Sequence, residues 1–542
     1  MKKLSKSAKL WRGLTAVMAV LMAISICGQS IANANATFLN TRLGTTNYIM
    51  VQKEDGSVTD TNYFKSEFTD LGDLVKELDK TAAQVASEGA VLFKNNGALP
   101  LNKGSEKVTL WGMNSHTPTL GGMIGSSTGY DPTTGQVAYG IEEALQAKGF
   151  TLNQDMIQLY ASEAAMAFAR RGFGQTGHGL SPAFGPIYEP KPSYPVGEIP
   201  TDLYTDDVLN SANDTAAVVV ISRDSSEAAD YHPSMSNGTE GDTFERPLAL
   251  SQYERDMIAL AKEHSTKVIV LLNADNPVEI EELKNDADID AILWTGAPGL
   301  NGFLGVADVL SGDVNPSSHI SDTYAVDSTS SPAMVNYGVY MYSNYSGGEN
   351  PVLTETNKAD WYLVESEGIY VGYKYYETRY EDAVLGRNNA TDGAGTTAGS
   401  WNYADEVSFP FGYGISYTTF DMTLKSVDVQ IGGEGKAVVT VKNTGSVAGK
   451  ATVQLYMQAP YTVGGLEKSA IQLLSFAKTD VLQPGASVDV TVSFDPQYMA
   501  SYDESAVKAN GTTGAWVLDA GDYWLPSSSM VPCWSRIPPL PF

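Results

Sequence analysis

Two cysteines in 542 residues, Cys27 and Cys533, leave no room for a disulfide framework. Basic residues are scarce: 35 Lys and Arg stand against 63 Asp and Glu, a formal charge of -28. A surface of that sign repels phosphate backbones and anionic headgroups, which excludes nucleic acid as a partner. Histidine is rarer still, and His116, His178 and His232 lack the spacing of a zinc site. The glycines of FGYGISY do not open a helix after a strand, so no dinucleotide loop is present. No metal and no cofactor is implied. What the chain does have is 43% hydrophobic and 18% charged residues, the balance of a globular protein with ample core.

The N-terminal stretch MKKLSKSAKLWRGLTAVMAVLMAISICGQSIANANA has a basic start, an apolar run from Leu14 to Cys27, and small residues at Ala32, Ala34 and Ala36. That is the order of a secretory signal, with a run shorter than the roughly 20 residues of a spanning helix. Residues 1–36 therefore read as a signal peptide or membrane anchor, and the folded part as extracellular or cell-surface. Residues 37–80 form a lead-in. At its end, DLGDLVKELDKTAAQVASEG sets Leu71, Leu74, Val75, Leu78, Ala82 and Val85 at helical spacing, which predicts a helix docked on a core through that stripe.

From 81 to 418 strands and helices take turns. AVLFKN, KVTLWG, AAVVVIS, KVIVLLN and DAILWTG read as strands; VAYGIEEALQAKGF, SQYERDMIALAKEH and VEIEELKND read as helices, the second with a capping box of Ser251 and Glu254. Strands apolar on both faces imply an α/β sandwich around a mostly parallel sheet. The Gly- and Pro-rich stretch from Gly172 to Pro200 reads as irregular, a rim around a site or a tolerated insertion. From about Phe420 the apolar period becomes two, with Asn-Thr-Gly, Pro-Gly and Asp-Pro turns. Residues 419–525 are thus expected to form a β-sandwich of the fibronectin type III or immunoglobulin kind, followed by an atypical tail, 526–542.

Three phrases in this order resemble glycoside hydrolase family 3, the β-glucosidase and β-xylosidase group: EGAVLFKNNGALPL (Glu88–Leu101), IDAILWTGAPGLNGFLGVADVLSGDVNP (Ile289–Pro316) and FPFGYGISYTTF (Phe409–Phe420). The first is similar to the entry to that family's α/β sandwich domain, and the last to its junction with a fibronectin-like domain. VVVISRDSSEAADY (Val218–Tyr231) is similar to the strand and loop that present the family's general acid/base, and places Glu227 at the glutamate position. One acidic residue among 63 is ordinarily solvated surface; the resemblance is what singles out Glu227. Ser226 and Ala228 stand where relatives often have glycine. Asp224, Asp230, Glu240, Asp242 and Glu245 are the neighbouring alternatives, with Asp230 the one assigned to substrate binding. GGMIGSS (Gly121–Ser127) resembles the loop by which the sandwich approaches the sugar, which implies Gly122 and Ser126 as substrate contacts. Lys94 and Asn95 read as structural.

The resemblance implies an exported hydrolase of terminal β-D-glucosides, acting on a β-glucoside or oligosaccharide by a retaining mechanism. A retaining enzyme needs a second carboxylate. In the family that is an aspartate in a Ser-Asp-Trp or Ser-Asp-Tyr phrase of a β/α barrel that also carries a Lys-His pair. Neither phrase nor pair occurs here; Asp322 in HISDTYAV and Asp360 in KADWYL fall in the sandwich region. Ser318 and His319 replace the family's usual glycine and basic residue. The expectation is a barrel-last arrangement in which this chain supplies the acid/base half, a barrel module is its partner, and hydrolysis by the chain alone is little or none. The alternative reading is a non-catalytic carbohydrate-binding cell-surface protein.

Overall fold

A computed structural model describes residues 6–34, 67–68, 70–121, 138–169, 193–223, 231, 233, 235–337, 340–341, 361–362, 364–383, 401–430, 432–462, 464–508, 510–528 and 540–541. The chain divides into two units, Met1–Thr69 and Asp70–Phe542. The first carries helix α1 (Lys6–Ala34). Within it Leu10–Gln29, 20 residues of mean hydropathy 1.8, is long and apolar enough to cross a membrane, and a signal sequence meets the same description. This stretch is longer than the run read from Leu14 to Cys27, because the helix continues through Trp11, Arg12 and Gly13.

In the second unit, helix α2 (Leu71–Gly89) leads into strands β1 (Val91–Asn95) and β2 (Lys107–Trp111). Helix α3 (Ile141–Ala147), strand β3 (Thr151–Leu152), strand β4 (Ala216–Arg223), helix α4 (Gln252–His264), strands β5 (Lys267–Ala274) and β6 (Ala291–Trp294), helix α5 (Gly302–Leu310) and helix α6 (Tyr373–Ala383) follow. The six strands form one sheet in the order β1-β6-β5-β4-β2-β3. All neighbours are parallel except β1, which runs antiparallel to β6. Every residue of β4 is buried. Its Ala217, Val219 and Ile221 enter one apolar core and its Ala216, Val218 and Val220 the other. The alternation shows why the run looks uniformly apolar in sequence: both faces of the strand are covered. The capping box predicted at Ser251 forms, with reciprocal bonds between Ser251 and Glu254.

The chain steps from β2 outward to β3, then returns to place β4 on the other side of β2 and continues to β5 and β6. The strand order therefore reverses between β2 and β4. In open parallel sheets the loops part at such a reversal and leave a crevice at the carboxyl ends of the strands.

A β-sandwich follows. Strands β7 (Phe420–Val429), β8 (Gly435–Asn443), β9 (Thr452–Met457), β10 (Gln472–Lys478) and β11 (Ser487–Phe494) pair as β7-β8-β11 and β10-β9, and β12 (Ser501–Val507) with β13 (Thr513–Val517) makes a separate hairpin. Ala437, Val439 and Val441 of β8 point into the core while Lys436 and Lys442 point out, as period two requires. Asn315 ties the layers together: its Nδ2 donates to Ala448 O at 3.0 Å, and its Oδ1 accepts from Ser416 Oγ and Tyr417 N at 2.7 and 2.8 Å. Glu88 at the end of α2 pairs with Lys450 and Lys478.

Helix α2 corrects one expectation. Of the stripe predicted to dock, only Val75 is buried, and Leu71, Leu78 and Val85 are more than half exposed. The helix packs instead through Ala83, Ala86 and Ser87 against Gly302 and Gly305 of α5, where a Cβ on Gly305 would lie 1.9 Å from Ala83 O. Periodicity finds the apolar stripe, but close approach of two backbones selects the small residues. Gly305→Ala is therefore expected to destabilise the fold by about 1–3 kcal/mol through overpacking, read as a lowered urea midpoint with unchanged m-value.

Candidate active site at the carboxyl end of the parallel sheet

The predicted site residues Gly122, Ser126, Glu227 and Asp230 lie outside the described residues, as do Asp224 and Asp360. What the structure shows is how the chain on either side of them is held. Strand β4 ends at Arg223, a fully buried guanidinium. Its five N–H groups are all used. Nε donates to Pro247 O at 2.8 Å, Nη1 to Ser222 O and Glu254 Oε1 at 2.9 and 2.7 Å, and Nη2 to Ala249 O and Glu254 Oε2 at 2.7 and 2.9 Å. Burial opposes the positive charge, yet the Glu254 carboxylate more than offsets it and holds Arg223 above the ordinary guanidinium range. At the far end of the same loop, buried Tyr231 meets Tyr194 edge to face, with ring centroids 5.0 Å apart. Arg223 and Tyr231, the described residues on either side of 224–230, are thus each held in the interior.

Asn273, next to last in β5 and fully buried, joins this loop's root to that of the glycine-serine loop. Its Oδ1 accepts from Thr119 N at 2.7 Å and from Ser222 Oγ at 3.0 Å. Its Nδ2 donates to Thr119 O at 2.9 Å and to Gly296 O at 2.6 Å. Thr119 precedes the Gly121–Ser127 stretch and Ser222 precedes Arg223, so one side-chain oxygen gathers the roots of both loops assigned to sugar. Gly296 lies two residues past the end of β6, which brings a third connection to the same point.

Beneath the exit of β2 lies a second buried network. Gly112 adopts φ +91°, and a Cβ there would approach Val220 O to 2.9 Å, so only glycine fits. Gly112 N donates to Tyr160 Oη at 2.7 Å, Tyr160 and Tyr204 share a 2.9 Å hydroxyl contact, and Tyr204 Oη lies 3.4 Å from Glu198 Oε1. Glu198 itself is fully buried and accepts from Met113 N and Ile199 N, both at 2.9 Å. Burial pushes its carboxyl up to about 8 against the pull of the Ile199 and Met113 amides, with Glu254 and Asp242 adding to the rise. Part of the stretch read as irregular, Tyr194–Ile199, is therefore core.

The neighbouring acidic residues have other roles. Asp242 accepts from Thr243 N and Tyr253 N through Oδ1 and from Asn237 Nδ2 through Oδ2. Glu245 pairs with Arg246 at the surface, and Glu240 and Asp322 are exposed. Lys94 donates to Lys284 O and Asp286 O, and Asn95 closes the turn to Leu99, both structural as read from sequence. Sequence reasoning missed Glu198 and Asn273. Their signals were a lone acid among Val196, Ile199 and flanking prolines, and a lone amide ending the apolar run KVIVLLN.

Two outcomes follow. Asn273→Asp is nearly isosteric but sets a carboxylate against the Thr119 and Gly296 carbonyls; a loss of about 3 kcal/mol or more in urea unfolding is expected. For Glu198 the folded state keeps a proton that the unfolded chain releases between pH 4.5 and about 8, so stability falls as pH rises through that window. Glu377, raised by burial to about 7, acts in the same sense at the lower end. Glu198→Gln is expected to flatten the pH dependence of the urea unfolding free energy, removing at most about 1.4 kcal/mol per pH unit.

Residues 90–417, more than half of the chain, match the glycosyl hydrolase family 3 C-terminal domain, and 451–526 match a fibronectin type III-like domain. A β-glucosidase of Ruminococcus albus is 29% identical over 452 residues, covering 82% of this chain and 38% of the relative. β-Glucosidase A of Butyrivibrio fibrisolvens is 29% identical over 475 residues, covering 82% of this chain and 48% of the relative. Among solved structures, a β-glucosidase from Paenibacillus barengoltzii superposes with TM-score 0.62 at 28% identity, over 85% of this chain and 43% of that one. β-Glucosidase 3B of Thermotoga neapolitana in complex with α-D-glucose gives 0.61 at 27%, over 84% and 53%. This chain spans about half or less of the length of these relatives. With the parallel sheet, its reversal between β2 and β4, and the β-sandwich behind it all in the family's order, the chain belongs to glycoside hydrolase family 3.

Proposed function

We propose that this chain carries the acid/base half of a retaining β-glucosidase, with Glu227 protonating the departing glycosidic oxygen of a terminal β-D-glucoside. Gly122, Ser126 and Asp230 contact the sugar, and the chain is exported by way of α1. The observation that carries the reading is the family match over 90–417, which includes β4 and the loop beyond it. The names of the relatives supply the sugar: the R. albus and B. fibrisolvens proteins are β-glucosidases.

The chemistry asks for rigid placement. A general acid works from within hydrogen-bond reach of the leaving oxygen, and its pKa must stay high enough to keep the proton until bond cleavage. The fixed interior positions of Arg223, Tyr231 and Asn273, which flank or underlie the Glu227 stretch, support that demand. The nucleophile, a carboxylate about 5–5.5 Å from the acid in a retaining site, comes in this reading from a β/α-barrel partner module, since the sequence has no Lys-His pair and no Ser-Asp-Trp or Ser-Asp-Tyr phrase.

The purified chain alone is expected to turn over aryl β-glucosides little or not at all. Co-expression with a family barrel is expected to restore turnover. In that assembly Glu227→Ala should lower kcat/KM about 10²–10⁴-fold for a glucoside with a poor leaving group, and far less for a dinitrophenyl glucoside, whose phenolate leaves without a proton. Equal losses on both substrates, or hydrolysis by the chain alone that survives Glu227→Ala, would overturn the assignment.

A further inference from the structure

The β-sandwich carries a second concavity. A cavity of about 890 Å³ opens between its β12–β13 hairpin, the turn at Pro496–Met499 and the approach to α6. Trp516, Tyr498, Tyr502 and Ile369 line it, and they are 71%, 61%, 52% and 46% exposed. Large aromatic rings in that state, gathered around one hollow, are uncommon on a soluble surface and mark recognition.

The rings are held in place. Tyr502 and Trp516 are direct partners across the β12–β13 ladder and meet edge to face at 5.4 Å. Tyr502 also lies over Gly514, where a Cβ would come within 2.3 Å of its hydroxyl, so the glycine is what admits the ring. Tyr498 sits on the turn capped by Asp495, and Gln472 Nε2 holds its carbonyl at 3.0 Å. Two strands alone would be a marginal support; the cross-strand pair and the ring over Gly514 stiffen them.

The polar lining selects the ligand class. The lining carries two cations, Lys374 and Lys468, the latter paired with Asp519, against two carboxylates, Glu467 and Asp495, so neither sign dominates the wall. Gln472 and Gln497 spend Nε2 on Tyr498 O and Asp495 Oδ2, and Ser469 Oγ donates to Ile471 O, so their oxygens are what the wall offers to accept from sugar hydroxyls. The exposed ring faces suit the C–H face of a pyranose, whose hydrogens carry partial positive charge toward the π-cloud. The volume lies within the range of about 300–1,000 Å³ typical of small-molecule sites.

We propose that this cleft is a non-catalytic binding site for a neutral oligosaccharide, stacked on Trp516 and Tyr498, which holds a longer glucan against the protein. The inference rests on the proposed sugar chemistry of this chain. Its test is separate from the hydrolysis assay because the cleft is built without any of the residues assigned to the loops of the parallel sheet.

Cellohexaose binding to the full chain, carried in a Glu227→Gln background to remove any turnover, is measured by titration calorimetry and tryptophan fluorescence. A Kd of about 0.1–1 mM is expected, weakened at least about fivefold by Trp516→Ala and by Tyr498→Ala. Trp516→Phe should retain binding while losing the fluorescence change. A native circular dichroism spectrum excludes misfolding, and Tyr498→Ala, outside the hairpin, repeats the test without removing the cross-strand pair. Binding that neither alanine variant alters would overturn the proposal and leave the Glu227 reading intact. Absence of any cellohexaose binding overturns it too, with the Glu227 reading still judged by leaving-group dependence. Self-association of the chain that Trp516→Ala abolishes, with sugar affinity unchanged, would assign the rings to a second copy and sink the proposal.

Discussion

One buried amide holds the carboxyl end of the sheet together. Asn273 has four hydrogen-bonding positions and all are occupied, by Thr119 twice, Ser222 and Gly296. Parallel strands deliver their loops to one edge but give no reason for those loops to converge, since each backbone is satisfied within its own ladder. The side chain of Asn273 supplies that reason. Without it, Thr119 N and the Gly296 carbonyl would lose buried partners.

Around this point the charges are arranged so that rigidity does not depend on apolar contact alone. Arg223 and Glu254 are fully buried and bidentate, and Glu254 also accepts from Ser251 N, so the same carboxylate caps α4 and clamps the end of β4. A buried pair of this kind adds little net stability over an apolar replacement, but breaking one side of it is costly. What it provides is register: the last residue of the strand has one orientation. For a loop that is to present a proton donor to a sugar, a fixed origin matters more than a few extra kcal/mol.

Much of the architecture was legible beforehand. Four of the five parallel strands, the capping box at Ser251, the change of period near Phe420 and the structural roles of Lys94 and Asn95 follow from local patterns, because burial on both faces, capping and alternation leave marks within a few residues, whereas the two-residue β3 leaves none. The face of α2 did not. Leu71, Leu78 and Val85 carry the periodic signal, yet the contact runs through Ala83, Ala86 and Ser87, because the glycines of α5 that receive them lie more than 200 residues further along the chain. Glu198 and Asn273 were likewise illegible: a lone polar residue among apolar ones looks the same whether it faces water or anchors three loops.

The sequence by itself determined the alternation of strands and helices, the two-domain order and the candidacy of Glu227, since these rest on short-range periodicity and on phrases shared with a family. Only the tertiary structure decided that the roots of the Glu227 and Gly122 loops share one acceptor, that Glu198 is a core carboxyl, and that Trp516, Tyr502 and Tyr498 face a common hollow. Those facts join residues far apart in the chain, and the forces that join them, desolvation and hydrogen bonding in the interior, act only once the fold has brought the partners within a few ångströms.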